Sequence, residues 1–352
     1  MSGGKSYLVE RWTPLSRLAS LAVLVVLAIF AIGPFVFSSG LTDRLSALFV
    51  YVILAAMWNA LAGYGGLVSV GQQVFFGLGA YFTIRLANAG IDPFVSIALA
   101  SMGVGIVALP LSGMMLRLRN GEFAIGMWVL AELVHLLVNL DRLINGETGT
   151  SLISLNAYGA ATRRDGIYWA ALAAMVVLLG ALFVLLRTRL GAAVQAIRDN
   201  EEAAASVGVE VMSTKRIIFV LAALGAGAAG ALWLASAVTF QPRNYFSVQW
   251  AAYMIFMVLV GGIGTFEGAI IGAVIFFLIE TWFGAAGVWY LVGLGATALV
   301  FSLFLPRGIW GTIEARWSIR LLPVGYRLRL SGNGASLAIR DSDPVTTRET
   351  AA

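Results

Sequence analysis

One short polar segment between two long apolar runs gathers the residues that could engage another molecule. Five basic and four acidic residues lie between Arg187 and Arg216, although only 12% of the 352 residues are charged. At its centre, Glu202-Ala203-Ala204 is followed after three residues by Gly208. An amphipathic segment in a loop of this kind is a natural handle for a soluble partner, so docking is the function predicted for it.

Helix-forming residues from Ala192 to Ala205 predict a short helix that runs parallel to the membrane plane and ends at Gly208. A soluble partner would hold such a helix in a groove by its apolar residues, while the charges fix the register. The alternative is an ordinary loop helix without a partner. The residues predicted to mediate docking are Arg198, Glu201, Glu202, Ala203, Ala204 and Gly208.

Three polar residues share one face of a predicted apolar helix. Glu132 and His135 are three residues apart, and Asn139 lies one turn further on. Ionisable groups are costly inside a membrane. This stripe therefore either lines a path and clamps a zwitterionic solute, or is a structural glutamate paired with His135 or with a neighbouring helix. We favour the structural interpretation.

Amide side chains fall near two further predicted helix ends. Gln72 and Gln73 follow Gly71, where they either cap a broken helix or present their amides to solute, and the sequence leaves both interpretations open. Asn59, near the end of the preceding apolar run, is more typical of helix packing than of a ligand site. The candidates for a translocation path are Asn59, Gln72, Gln73, Glu132, His135 and Asn139.

The rest of the composition is that of a membrane protein. Apolar residues make up 60% of the chain and the mean hydropathy is +0.89, whereas soluble domains carry about 25% charged residues. We therefore predict an all-α polytopic membrane protein. With no cysteine and a single histidine, a thiolate or multi-histidine metal site is excluded, and no cofactor is expected. The net charge of +5 resides in loops and tails and does not indicate nucleic-acid binding.

Apolar runs of about 20 residues predict about ten transmembrane helices together with a cytoplasmic coupling helix. The predicted spans are 18–37, 45–62, 67–88, 94–116, 122–140, 168–186, 217–238, 251–263, 266–283 and 288–305. The eighth is too short to cross straight, and Gly261, Gly262 and Gly264 interrupt it. Broken helices are tolerated at membrane depth only inside protein or beside a water-filled path.

Basic residues assign an orientation to these spans. With both termini in the cytoplasm, 17 basic residues fall on the cytoplasmic side and 6 fall outside, which follows the positive-inside rule. The predicted organisation is a cytoplasmic segment 1–17, a permease domain 18–305 with a coupling loop at about 187–216, and a cytoplasmic tail 306–352. The tail is predicted to be largely disordered, above all from Ser331.

Two glycine-rich segments, 65–71 and 261–264, match weakly as an internal repeat, since each follows a short apolar run and precedes a glycine-spaced helix. Repeats often bracket the substrate path of a transporter, but chance is an equal explanation in a chain with 40 glycines. The glycines predicted to break helices, or to let them pack closely within the chain or against a second permease, are Gly65, Gly66, Gly71, Gly261, Gly262, Gly264, Gly268 and Gly272.

The chain lacks the motifs of a nucleotide-binding or hydrolytic enzyme. A phosphate-binding loop needs GxxxxGK[ST], and Gly3-Gly4-Lys5-Ser6 cannot supply its first glycine because only three residues precede Gly4. Neither HExxH nor GxSxG occurs. We therefore predict a transport protein that is not an enzyme, and an ATP-driven step would need the ATPase of another polypeptide.

Four stretches together resemble a known family. They are 58–81, similar to NLLxGYxGxxSxGxxxFxGxGAY; 116–132, similar to LRLRGxYFAI…AE; 191–208, similar to GRxxxAIRxNExAAxxxG; and 261–268, similar to GGxGTxxG. Over roughly residues 45–305 the chain resembles the permeases of branched-chain amino-acid ABC importers, specifically the LivM-type subunit.

This resemblance implies a set of partners in the bacterial inner membrane. A second permease would complete a heterodimeric path, two cytoplasmic ATPase subunits would hydrolyse ATP-Mg, and a periplasmic binding protein would deliver a small amino acid. Closure of the ATPases would pull on the coupling helix Glu202–Gly208 during alternating access.

Some residues depart from the family pattern. Glu122, His135 and the lack of a proline after Ile218 are unusual, which leaves the solute open among branched-chain amino acids, other amino acids, urea and amides. The alternative from another class is a self-sufficient secondary transporter or channel. Such a carrier would not need the coupling helix and would run on an ion gradient through Glu132 or His135.

Overall fold

The apolar runs fold into an all-α polytopic membrane protein, as predicted. The computed structural model describes residues 7–10, 14–317, 321–322 and 327–330. The helices are α1 (Pro14–Ala31), α2 (Gly33–Val36), α3 (Ser39–Asn59), α4 (Gln73–Asn88), α5 (Pro93–Met115), α6 (Asn120–Asn139), α7 (Ala160–Arg187), α8 (Arg189–Asp199), α9 (Glu201–Ser206), α10 (Val211–Ala237), α11 (Pro242–Tyr245), α12 (Val248–Gly261), α13 (Phe266–Phe283), α14 (Val288–Phe304) and α15 (Gly308–Trp317).

Eight segments of the described chain are long and apolar enough to cross a membrane, and they coincide with eight of the ten predicted spans. Of the other two predicted spans, one holds α1, whose apolar part Ser16–Ala31 is below that length, and the other holds α4 with 16 residues. The predicted start of the third span at Leu67 is wrong, because α4 begins at Gln73. The reason is Gly66, whose φ of +69° takes the backbone out of the right-handed helical region.

Helix α3 lies at the centre of the bundle, with α7, α10, α12 and α13 packed around it. From Phe49 to Asn59 it is buried on every side, as expected of a helix without a solvent-facing side. Around it, α4 and α10 approach closely at small residues: Gly79 lies against the backbone of Gly227, and Gly230 lies against the backbone of Phe76. A side chain at these glycines would overlap the facing helix, so the small residues set the distance between α4 and α10.

A second close crossing joins α12 to α13. Gly261 faces the carbonyl of Gly268, and Gly272 faces the carbonyl of Met257. The GxxxG pair Gly268 and Gly272 thus packs within the chain. The opposite face of α13 and most of α14 stay exposed and apolar, with Trp282 a prominent member, so this side of the bundle suits lipid or another membrane chain.

Two short antiparallel ribbons complete the fold. Strand β1 (Tyr7–Glu10) pairs with β4 (Arg327–Leu330), so the two ends of the described chain lie side by side. Strand β2 (Thr150–Ser151) pairs with β3 (Thr239–Phe240) and joins the loop before α7 to the end of α10.

The predicted C-terminal tail opens with an ordered element. Helix α15, within the range 306–352, packs against α12 and α13. The part that the sequence predicts to be disordered, from Ser331, lies outside the described residues.

Candidate functional site

The coupling segment, residues 187–216, is folded as two helices and not as the single helix predicted from Ala192 to Ala205. Asn200 separates α8 from α9, since its backbone is extended (φ −159°, ψ 109°). Its side-chain oxygen accepts a hydrogen bond of 2.9 Å from the N–H of Ala203. Asparagine is a favoured N-cap, so the stretch of helix formers restarts at this residue instead of running through it.

Gly208 ends α9 in a defined way. Its N–H donates to the carbonyl of Ala205 at 3.0 Å, and the N–H of Val209 donates to that of Ala204 at 3.1 Å. This pair of bonds is a Schellman motif, which needs a left-handed residue after the helix, and Gly208 has φ +88°. A side chain at Gly208 would meet no neighbour within 4 Å. Glycine is therefore required here by the backbone conformation and not by space.

The two helices bury one side and expose the other. Val194, Ile197 and Ala204 are buried against the bundle, while Glu202 and Ala203 are exposed. Val207, at the end of α9, is 79% exposed. An exposed apolar residue on a helix end can serve as the anchor for a partner that binds the helix. We call residues 202–208 the docking ridge.

An ion pair fixes α9 to the bundle. The Nζ of Lys215, at the start of α10, lies 2.6 Å from the Oε2 of Glu201, and the lysine side chain is only 11% exposed. The next residue, Arg216, donates from Nε to the Oγ of Ser112 on α5 at 3.1 Å. The docking ridge is therefore anchored to α10 and, through α10, to α5.

Arg198 extends from α8 into the bundle. Its Nη1 donates to the carbonyl of Gly63 at 2.9 Å, and its Nε and Nη2 each lie 2.9 Å from Oδ1 of Asp199. The stem of Arg198 lies against Gly66, where an added Cβ would come within 3.1 Å of the arginine Cγ. Gly66 thus allows α8 to reach the end of the central helix.

The Gly63 carbonyl can accept a hydrogen bond from Arg198 because the backbone hydrogen bonds at the end of α3 depart from the α-helical pattern. Residues Ala60–Tyr64 form a π turn after α3, in which the N–H of Gly65 donates to Ala60. In an α-helix the N–H of Leu67 would bond the carbonyl of Gly63, but here it donates to Leu61 at 3.0 Å. The freed carbonyl accepts from Arg198 instead.

The two predicted glycine breaks contact each other beside Arg198. Asn59, which is buried, donates from Nδ2 to the carbonyl of Thr265 and accepts at Oδ1 from the N–H of Gly264, both at 2.8 Å. Gly63 leaves no room for a side chain between Asn59 and Gly264. The break after α12 has Gly262 at φ +132° and Gly264 at φ +74°. These hydrogen bonds therefore join the coupling segment to the end of α3 and to the α12–α13 turn as one connected unit.

A cleft of about 280 Å³ opens beside this unit. Its walls include Gly65 and Leu67 from the first break, Phe123 from α6, and Arg198 and Glu201 from the coupling segment. The cleft lies at the base of the stretch 65–72 that leads to α4.

The amides of Gln72 and Gln73 lie deeper, at the start of α4. Gln72 is 0% exposed and Gln73 is 1% exposed. Gly71, just before them, packs so closely against the carbonyl of Met127 on α6 that no side chain would fit. Neither glutamine lies on the cleft wall.

The polar stripe on α6 forms a separate cluster. His135 lies between two carboxylates, with Nδ1 3.3 Å from Oε1 of Glu132 and Nε2 2.9 Å from Oε1 of Glu147. Asn139 bonds both His135 and Glu147, and the imidazole stacks on Phe246. Sequence reasoning missed Glu147 because it lies in the loop after α6, outside the helical periodicity. The network ties α6 to that loop.

A second polar contact was not anticipated from the sequence. Glu280 on α13 accepts a hydrogen bond of 2.7 Å from the hydroxyl of Tyr51 in the middle of α3. Only the fold brings these residues together, because 229 positions separate them.

A bundle of apolar helices, broken at glycines that meet beneath an exposed helical ridge, defines a polytopic membrane protein. The family described as "Branched-chain amino acid transport system / permease component" matches residues 40–305. The chain belongs to this family, which confirms the resemblance drawn from its motifs, and it is a multi-pass permease subunit of the branched-chain amino-acid transport type.

Individual relatives agree with that assignment. The high-affinity branched-chain amino-acid transport system permease protein LivM of Salmonella typhimurium is 27% identical over 317 residues, 82% of this chain and 74% of that protein. LivM of Escherichia coli is 27% identical over 315 residues, 81% of this chain and 74% of its own length. Among solved structures, a chain of PsaBC from Streptococcus pneumoniae in complex with Fab matches with a TM-score of 0.47 and 11% identity, covering 82% of this chain and 99% of that one.

Proposed function

We propose that this chain is one of two permease subunits of an ATP-driven importer for branched-chain amino acids, in a bacterial inner membrane with both termini in the cytoplasm. Its partners would be a second permease, two cytoplasmic ATPase subunits that bind ATP-Mg, and a periplasmic binding protein. The chain itself would bind no nucleotide. The observation that carries this proposal is the docking ridge, joined through Arg198 to both helix breaks.

The docking ridge has the features of a surface that a soluble ATPase would grip. Val207 offers an exposed apolar anchor, and Glu202 offers a charge to fix the register. The ridge is held at a fixed position by the Glu201–Lys215 ion pair and by the Asn200 cap. Because the ridge is fixed to the bundle in this way, a force applied to it would be transmitted to the helices behind it.

Three hydrogen bonds would carry that movement into the path. Arg198 connects α8 to the Gly63 carbonyl, and Asn59 connects the same turn to Gly264 and Thr265. Rotation of α8 would therefore act on the end of α3 and on the α12–α13 turn together. Broken helices of this kind are where alternating-access transporters change shape.

Branched-chain amino acids are the solute class supported by the family and by the relatives' names. Import is the direction implied by the resemblance of the chain to importer permeases.

The test is isolation of the intact complex from native membranes in mild detergent, with the copurifying proteins identified by mass spectrometry. The wild-type chain should bring down an ATPase and a second permease. The variant Val207→Arg should lose at least tenfold of the ATPase, because an apolar interface anchor is replaced by a charge that must be desolvated. The second permease should remain.

Ile153→Arg is the matched control, because Ile153 is also apolar and 70% exposed but lies in the loop between α6 and α7, away from the coupling segment. This control should retain the ATPase. Recovery of the chain alone, under conditions that preserve another importer, would contradict the proposal. Equal ATPase recovery with Val207→Arg and with wild type would contradict the docking role of the ridge.

A further inference from the structure

The start of α4 is a helix terminus enclosed by protein. With 16 residues, α4 is roughly 24 Å long, less than the hydrocarbon thickness of about 30 Å. Its N-terminus follows a non-helical stretch in which Ser69 and Gly71 are buried. Non-helical backbone at membrane depth persists only where protein encloses it or where it lines a solute path.

Unpartnered polar atoms are concentrated at this terminus. Among the described residues, eight buried side-chain polar atoms have no hydrogen-bond partner, and three of them are Nε2 and Oε1 of Gln72 and Oε1 of Gln73. Gln72 is entirely unpartnered at its amide, although it is 0% exposed. Native proteins leave few buried polar groups unpaired, so such a pair of adjacent amides calls for a partner that the protein does not itself supply.

Capping does not explain these amides. The N-cap of α4 is Gln72, whose side chain makes no capping hydrogen bond. The first turn is instead closed by the backbone, with Val74 donating to Gly71 at 3.0 Å and Phe75 donating to Gln72 at 3.2 Å. The sequence leaves two interpretations open for Gln72 and Gln73, a helix cap or a solute contact. The Gln72 side chain does not cap α4.

An aromatic pair packs beside the terminus. Phe75 packs edge-to-face on Phe219 of α10, with ring centroids 5.5 Å apart. The nearby carbonyl of Ser69 is already used by the indole N–H of Trp58, at 2.9 Å. The unpartnered amide atoms of Gln72 and Gln73, together with the positive end of α4, are therefore groups that could bind a polar ligand.

We propose that Gln72 and Gln73, at the N-terminus of α4, form the subsite that binds the carboxylate of the transported amino acid, an inference that rests on the proposed import function. A helix N-terminus attracts anions through its dipole, and this attraction persists although the N–H groups of Val74 and Phe75 are bonded within the first turn. The Nε2 of Gln72 adds a donor to the carboxylate, and the amide oxygens accept from the solute ammonium. Neutral amides hold a zwitterion without a fixed counter-charge, so the solute is free to leave.

The cleft at the base of residues 65–72 offers a path by which solute could pass between this subsite and the cleft. Its wall includes Gly65 and Leu67, in the same stretch that ends at Gln72. Movement of the Arg198-linked unit would shift that stretch, opening the enclosed terminus toward the cleft.

The experiment measures binding of tritiated L-leucine to the purified complex, with its ATPase and second permease present. Unlabelled L-leucine should compete, whereas L-leucinamide, which lacks the carboxylate, should not compete at a hundredfold excess. Gln72→Met and Gln73→Met, which keep side-chain length without the amide, should each weaken binding about tenfold or more, as expected for loss of a hydrogen bond to a charged group. Their melting temperatures should stay at or above that of wild type, because an unpaired buried amide is removed.

Gln249→Met is the matched control, since Gln249 is exposed and already bonded to the hydroxyl of Tyr253; it should bind leucine like wild type. Equal competition by leucinamide, or binding within twofold of wild type in both variants, would overturn the subsite. A lower melting temperature in both variants with unchanged affinity would show that the amides hold only internal water. Absence of saturable binding to a wild-type complex with active ATPase would also overturn it, while loss of the ATPase itself would instead contradict the proposed function.

Discussion

Replacing Arg198 with methionine should separate ATP hydrolysis from transport. Methionine keeps an unbranched stem that can lie along Gly66, but it removes the donor to the Gly63 carbonyl at 2.9 Å. A hydrogen bond from a charged donor contributes about 1.5–3 kcal/mol. Because the Arg198 side chain is 35% exposed and also meets Asp199, water competes and the lower value applies. A loss of about 1.5 kcal/mol corresponds to roughly a tenfold shift toward the detached arrangement of α8.

The assay is reconstitution of the complete complex in proteoliposomes, with uptake of labelled leucine and ATP hydrolysis measured on the same sample. Arg198→Met should retain its ATPase subunits and hydrolyse ATP, but leucine transported per ATP should fall roughly tenfold. Arg189→Met, on the same helix and exposed at its first residue, removes the same charge and should behave like wild type. Normal uptake per ATP in Arg198→Met would refute the transmission role. Loss of the ATPase subunits from that variant would show that Arg198 docks the partner and does not transmit movement.

Three further outcomes follow from the same structure. Gly208→Val should destabilise the left-handed backbone at this position by about 1–2 kcal/mol, and it should abolish uptake while the protein still inserts into the membrane. Gly208→Asn should retain most activity, because asparagine tolerates that conformation. Equal activity of the two variants in an uptake assay would contradict a backbone requirement. Asp92 accepts hydrogen bonds from the Tyr158 hydroxyl and from the first N–H groups of α5, and these hold its pKa below the usual range. The carboxylate therefore contributes stability above about pH 4 that is lost as the pH falls further; Asp92→Ala should lower stability by about 1 kcal/mol at pH 7, and thermal melting should show the difference shrinking near pH 3. Glu132→Gln should leave uptake driven by ATP unchanged, and a dependence on a proton gradient abolished by this variant would favour the secondary-transporter alternative.

The features that the sequence predicts well are those set by local chemistry. Long apolar runs identify the spans because water and lipid separate residues by polarity. The turn at Gly262 and Gly264 is visible in the sequence because glycine marks places where left-handed backbone is required. The ridge around Glu202 is visible because charge is rare elsewhere in the chain.

The features that it misses depend on competition between local preferences or on distant contacts. Alanine-rich residues 192–205 favour one helix, but Asn200 gains more as a cap and divides it. Asn59 resembles an ordinary packing residue until the fold sets it against Gly264, 205 positions away. Likewise, the helical periodicity of α6 does not reveal the contact between His135 and Glu147, because Glu147 lies in the loop that follows the helix.

The π turn at Ala60–Tyr64 can be regarded as one surplus residue in the central helix. Each residue of an α-helix turns the chain by about 100°, so a single deletion between Ala60 and Gly63 would convert the Gly65–Ala60 bond to ordinary i→i−4 pairing and turn Gly63 by about that angle relative to α3. The Gly63 carbonyl would then point away from Arg198, which would lose its attachment without itself being altered. Chain length at this point, and not only residue identity, therefore decides whether Arg198 has an acceptor at the end of the central helix.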